Sequence, residues 1–186
     1  MIDFTTNFMS ILINTYAKLT YICIMNIRKA TYNDIPRLME TFANARTIMR
    51  ASGNMNQWND NYPSEDIIRK DIAEGVCHVL CDADDKIIAT MAFIKGPDPT
   101  YAIIYDGKWL DDSPYHVIHR IAVHEPGRNA ADKLLEWAFM HTSSLRIDTH
   151  KDNVIMHHIL HKHGFTHCGR ILLANGDPRE AFQKKI

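Results

Sequence analysis

Cysteine is scarce in this chain and poorly spaced for chemistry. Cys23, Cys77, Cys81 and Cys168 form no Cys-x-x-Cys pair and are too few and scattered for a disulfide framework, so a reducing, cytoplasmic setting is expected. An excess of one charge is also missing. A net charge of -1 gives no electrostatic reason to expect nucleic acid or an anionic membrane as a partner, and any bound anion must be held locally. Long apolar runs are missing too. Residues 8–24 are apolar but broken by Asn14 and Lys18, short of the ~20 apolar residues a bilayer span needs, and no small-residue cleavage site follows. No internal repeat or low-complexity linker divides the 186 residues, a length and a 46% hydrophobic share that suit one soluble domain. Met25 opens a well-patterned segment. Residues 1–24 are therefore read as an extension outside the fold, as translation from an upstream start would give, and residues 25–186 as the domain.

What is present alternates between strand and helix. Asn26 to Lys29 suits a strand, Thr31 a cap, and Leu38, Met39, Phe42, Ala45, Ile48 and Met49 recur at helical spacing after Pro36. Arg50 to Ser64 reads as a loop, Glu65 to Glu74 as a helix stopped by Gly75, and Val76 to Cys81 and Ile87 to Ile94 as strands joined at hairpin length. Cys77 and Cys81, four residues apart on one strand, share a face and are expected to be buried. After the Gly96-Pro97-Asp98-Pro99 break, Tyr101 to Tyr105 is expected to be a further strand. Tyr115 to Val123 reads as a strand leading through Arg128-Asn129-Ala130-Ala131 into a helix. Leu145 to His150 reads as a strand, Asn153 to His163 as a helix stopped by Gly164-Phe165, and a closing strand pair follows. This order predicts an α/β (α+β, three-layer) fold with helices on both faces of a mixed sheet. The strand–loop–helix unit at residues 115–135 would offer free N–H groups and the positive end of a helix dipole to a phosphate, with Arg128 beside it.

These last segments resemble the acetyl-CoA-binding core of the GNAT N-acetyltransferases, and the resemblance extends from Met25 to the C-terminus, closest to a bacterial subgroup. In that family an Arg/Gln-x-x-Gly-x-Gly/Ala signature follows a strand ending in valine. Here the run is Ile121-Ala122-Val123-His124-Glu125-Pro126-Gly127-Arg128-Asn129-Ala130-Ala131, with a loop about two residues shorter and with Asn129 and Ala131 at common glycine positions. Asn153, Met156, Leu160 and Gly164-Phe165 keep the family spacing in the later helix. The resemblance implies a mostly antiparallel central sheet and transfer of acetyl from acetyl-CoA, as co-substrate and without a metal, to a primary amine of a small molecule or peptide by direct attack. It implies cofactor contacts at Ile121, Ala122, Val123, Arg128, Asn129, Ala130, Ala131, Asn153, Met156 and Leu160. His119 stands where the family often places its general-base glutamate, and His150 is the second choice. Leu160 replaces the usual proton-donating tyrosine, leaving Tyr115 or a histidine as substitutes. The loop between the first two helices usually roofs the acceptor, which points to Gln57, Trp58 and Tyr62.

Each residue also has a plain reading. Arg128-Asn129-Ala130-Ala131 is equally an ordinary helix start, Asn153 a cap, and His119 a structural histidine. By pattern Trp58 belongs to an exposed loop, while Trp109 and Trp137 belong to the core. His157 and His161 share a helix face at i, i+4, but no His-Glu-x-x-His motif accompanies them, so no metal site is expected. The alternatives to an enzyme are a catalytically impaired acyl-CoA sensor or interaction domain on the same fold, and a structural module that binds nothing. A homodimer is left open as a partner arrangement.

Overall fold

The computed structural model describes residues 25–186; the reading of residues 1–24 as an extension lies outside the described residues. Seven strands form one sheet in the order β1-β2-β3-β4-β5-β7-β6. They are β1 (Asn26–Lys29), β2 (Cys77–Cys81), β3 (Ile87–Lys95), β4 (His116–Val123), β5 (Ser144–Thr149), β6 (Thr166–Leu172) and β7 (Pro178–Lys185). Every neighbour is antiparallel except β4 and β5, so the sheet is mixed and mostly antiparallel, as expected. Four helices flank it: α1 (Ile35–Ala51), α2 (Glu65–Ala73), α3 (Ala130–Phe139) and α4 (Val154–Lys162).

The chain's apolar stripes decide which face each helix covers. Leu134, Leu135 and Ala138 of α3, with Met156 and Leu160 of α4, bury against Leu145, Ile147 and Phe182. Leu38, Phe42 and Ala45 of α1, with Ile68 of α2, cover the opposite face over Cys77, Val79 and Cys81. Both strand cysteines are thus buried on one face, as their spacing implies.

Among the described residues no helix covers that second face over β5 and β7. The segment between β3 and β4 covers it instead, where a strand is expected at Tyr101 to Tyr105. The structure has a 3-10 turn at Pro99–Tyr101 and a single bridge from Tyr105 to Arg170. The Asp98 side chain accepts from the Thr100 N–H at 2.8 Å and so caps the turn, and Pro99 suits its first position. Tyr101 is then drawn inward, 1% exposed and stacked on Trp109, so an alternating strand is not available to it.

Helix ends follow local chemistry. The Thr31 N–H donates to Asp34 at 2.7 Å and opens a 3-10 turn that runs into α1. At the end of α4 the Phe165 N–H bonds to the Leu160 carbonyl and the Gly164 N–H to the His161 carbonyl, a Schellman arrangement. Gly164 has φ +71°, which a side chain would strain.

Candidate active site

β4 and β5 pair at only two positions, His116 with Leu145 and Val117 with Arg146. Beyond them β4 carries a bulge. His119 faces Ala92 and Ala122 faces Thr90, so Met91 opposes two residues, and Arg120 adopts φ 54°. A left-handed conformation costs a non-glycine residue about 1–2 kcal/mol. Here it is held by a bidentate ion pair, Arg120 Nε and Nη2 to Asp71 of α2 at 2.8 and 2.9 Å. The parting of the two strands opens a cleft of about 650 Å³.

Of the residues picked from the sequence, Gln57, Trp58, Tyr62, His119, Ile121, Ala122, Val123, Ala131, Asn153 and Met156 line this cleft. Trp58 is not exposed: it is 9% accessible and packs edge-on against Phe42 and beside Tyr62, whereas Trp109 and Trp137 are only half-buried. An apolar wall along α1 has recruited it from the loop. Gln57 is held by its Oε1, which accepts from Asn54 and Asn153, each at 2.8 Å.

Six others lie off the cleft. Leu160 is fully buried under the sheet, and Ala130 is buried against α3's own neighbours. Arg128 turns to Asp82 at 3.3 Å, with its side chain 49% exposed, beside a shallow depression that includes Arg37, Lys86 and His124. Asn129 precedes α3 with φ 50° and makes no side-chain cap bond. The Tyr115 hydroxyl accepts from the Asp98 N–H at 3.1 Å while its ring lies 3.8 Å from the Arg146 guanidinium, so it positions Asp98 rather than facing the cleft. His150 accepts from the Asp152 N–H at 3.2 Å; burial, then the nearby Arg179 charge, push its pKa down and favour the neutral ring.

His119 is flanked by two carboxylates that sequence reasoning missed. Its Nε2 donates to Asp98 at 2.8 Å, and its Nδ1 lies 3.6 Å from Asp148. Burial pushes the Asp98 carboxyl up, but hydrogen bonds from His119 and Thr100 outweigh it and hold the pKa at about 2. Asp98 is therefore an anion at neutral pH and keeps the proton on Nε2, which leaves Nδ1 to accept one. Asp148 in turn accepts from the Tyr101 hydroxyl at 2.7 Å. Burial and the Asp148 charge raise the Tyr101 pKa well above the usual phenol value, so that hydroxyl stays a donor. Asp98 sits in the loop after β3 and Asp148 at the end of β5. Their only signal in the sequence was the Pro97-Asp98-Pro99 break and the Asp148-Thr149-His150 strand end.

The opposite wall suits an anion held by backbone. Asn153 caps α4, its Oδ1 accepting from Met156 N at 3.1 Å, but α3 has no such cap, so its first N–H groups are left to another acceptor at the helix's positive end. Among the described residues no group of three or more His, Cys, Asp or Glu is placed to hold a metal ion, and no helix is long and apolar enough to cross a membrane.

No protein-family model matches the chain, and no curated protein matches it. Solved structures do. An acetyltransferase of the GNAT family from Streptococcus agalactiae is 36% identical, with a TM-score of 0.79 over 87% of this chain and 95% of that one. A GNAT-family acetyltransferase from Listeria monocytogenes is 19% identical, with a TM-score of 0.65 over 87% and 95% of the two chains. A chain of the NatC complex bound to Gag peptide and CoA shares the fold at 14% identity, with a TM-score of 0.53 over 87% and 98%.

Proposed function

The chain belongs to the GNAT family of acetyltransferases, and from that premise we propose that it moves an acetyl group from acetyl-CoA to a primary amine by direct attack. The observation that carries the reading is the cleft at the β4–β5 parting, with the hydrogen-bonded His119–Asp98 pair in its wall.

Acetyl-CoA supplies an activated thioester. The uncapped first turn of α3, where Ala131 lines the cleft, suits its pyrophosphate. The edge of β4 at Ile121, Ala122 and Val123, beyond the ladder to β5, suits the amide groups of the pantetheine, with Asn153 and Met156 opposite. Backbone N–H groups beside the bulge are freed from the ladder to β5 and suit the oxygen that becomes negative when the amine adds.

His119 takes the amine's proton at Nδ1, and Asp98 holds the resulting imidazolium in place. The new C–N bond forms as the C–S bond breaks, giving an amide and a thiolate. Leu160 has no proton to give, but a thiolate leaves far more readily than an alkoxide. His119, once protonated, can return that proton to the departing sulfur.

Leu160 also keeps a second reading in play, a sensor that binds acyl-CoA without turnover. Thermal unfolding with acetyl-CoA, and with ATP as a phosphate control, followed by thiol release across a panel of amines, separates the two. A shift with turnover supports the enzyme, a shift without turnover the sensor, and no shift removes both.

A further inference from the structure

Arg179 is a cleft residue that acetyl transfer leaves unused. It lies on β7, 5% exposed, and lines the cleft. A guanidinium has five N–H donors. This one donates to two backbone carbonyls, Pro178 at 2.9 Å and Gln57 at 3.4 Å, and among the described residues it forms no ion pair. Burying a cation without a counter-charge is unfavourable. Mostly buried Arg120 and buried Arg146 solve the problem internally. Arg120 has Asp71, and Arg146 lies between the rings of Trp109 and Tyr115 at 4.2 and 3.8 Å. Among the described residues Arg179 has neither an aromatic clamp nor a carboxylate.

Its position says which ligand would complete it. Asp148 pairs with Ala181, so Arg179, two residues along β7, is on the same sheet face and a diagonal neighbour of Asp148, about 7–8 Å away along the sheet. Ala181 packs with Tyr101 and Val117 on that face, whereas α3 packs on the other. Arg179 is therefore grouped with His119 and Asp148, not with the uncapped helix end suited to phosphate. Asp177, nearby on the hairpin, is exposed and bonded to Asn175, so it stays at the mouth in water.

We propose that the acceptor is a short amino carboxylate, its ammonium drawn to Asp148 beside His119 and its carboxylate paired with Arg179. This rests on the acetyl-transfer reading and narrows it. A diamine would set its second ammonium against Arg179, and the N-terminus of a long peptide would carry no carboxylate there. The chemistry balances without a further reactant. The ammonium first gives one proton to His119, which passes it to solvent. The free amine then forms the C–N bond as C–S breaks, its second proton goes to His119 and on to the thiolate, and the acceptor's carboxylate is unchanged. The product keeps its pairing with Arg179 but has lost the ammonium that Asp148 attracted, which favours release.

The test uses the full chain, acetyl-CoA, and the common α-amino acids with β-alanine and γ-aminobutyrate, each as free acid and as carboxamide, with putrescine as the diamine. Thiol release should favour at least one free acid over its amide by tenfold or more in kcat/KM. In Arg179→Gln that ratio should fall towards one through a higher KM for the acid, and Arg179→Lys should recover part of it. Equal use of acid and amide by the wild type, or a preference for putrescine, overturns the proposal. So does a ratio that survives in Arg179→Gln, provided the variant still shows its acetyl-CoA thermal shift. If that variant does not fold, the wild-type acid-to-amide ratio decides. If no amine is acetylated, calorimetric titration of the same acids and amides into CoA-saturated wild type decides, and failure of every acid to bind better than its amide overturns it. Loss of the acetyl-CoA shift itself is a separate failure and strikes at the transfer reading.

Discussion

At His119, one ring nitrogen meets a carboxylate at hydrogen-bond distance and the other faces a second carboxylate slightly farther off. Replacing His119 with Ala removes the proposed proton acceptor, so kcat should fall by about 10²- to 10⁴-fold. The acetyl-CoA thermal shift should persist, because the proposed cofactor contacts lie on other residues. Asp98 has a second signature, in stability. Its carboxyl is depressed from 3.8 to about 2 in the folded state. A depressed carboxyl stabilises the fold above its unfolded pKa and stops doing so as pH falls through the folded value. The stability gap between wild type and Asp98→Asn should therefore be full above pH 4 and shrink as pH drops towards 2, as urea midpoints across that range would register. A gap that grows on acidification would contradict the assignment. His119 was legible because a resemblance marks its place on a strand. Asp98 and Asp148 were not, since a partner supplied by a distant loop leaves no trace in local spacing.

Elements differ in what their ends are built to hold. Asn153 both caps α4 and donates to Gln57, and loss of an Asn cap costs about 1 kcal/mol. Asn153→Ala should lower the melting temperature by roughly 2–4 °C for a chain of this size, and Asn153→Asp, which keeps an accepting oxygen, should recover the cap but not the bond to Gln57. Calorimetric scans of the two variants separate these roles. Asn129 answers to a different constraint, its φ of 50°. Asn129→Gly should stay within about 0.5 kcal/mol of wild type, whereas Asn129→Val should lose about 1–2 kcal/mol, because a branched side chain fits the left-handed region poorly. Helix ends set by one or two residues were readable in advance, as Gly164-Phe165 at the end of α4 illustrates. The segment after Pro99 was not. Tyr101 has the composition of a strand residue, but its position is decided by a bond to Asp148 on β5 and by stacking on Trp109, contacts that only the folded sheet creates.

The molecule as a whole is a sheet nearly divided in two. β1 to β4, backed by α1 and α2, meet the β5-β7-β6 half through a two-position ladder, and the cleft fills the gap beyond it. Two devices off the ladder hold the margins. The loop after α1 reaches across through Gln57, which joins Asn54 to Asn153 and accepts at its carbonyl from Arg179. On the near side, the Asp71–Arg120 pair fixes the bulge from which β4 turns away. That pair is mostly buried, with side-chain exposures of 7% and 13%. Deleting one member leaves the other charge without compensation, which costs roughly 3–5 kcal/mol, several times the cap effect above. Asp71→Ala should therefore lower the urea midpoint more than any cap variant. It should also weaken acetyl-CoA binding although Asp71 does not line the cleft, since an unheld Arg120 lets β4 relax towards an unbulged ladder and withdraws the edge at Ile121. Titration of acetyl-CoA into Asp71→Ala at a temperature where the variant is fully folded isolates the second effect. An unchanged affinity there would mean that the bulge keeps its shape without the ion pair, and that the strain at Arg120 is carried by the strand alone.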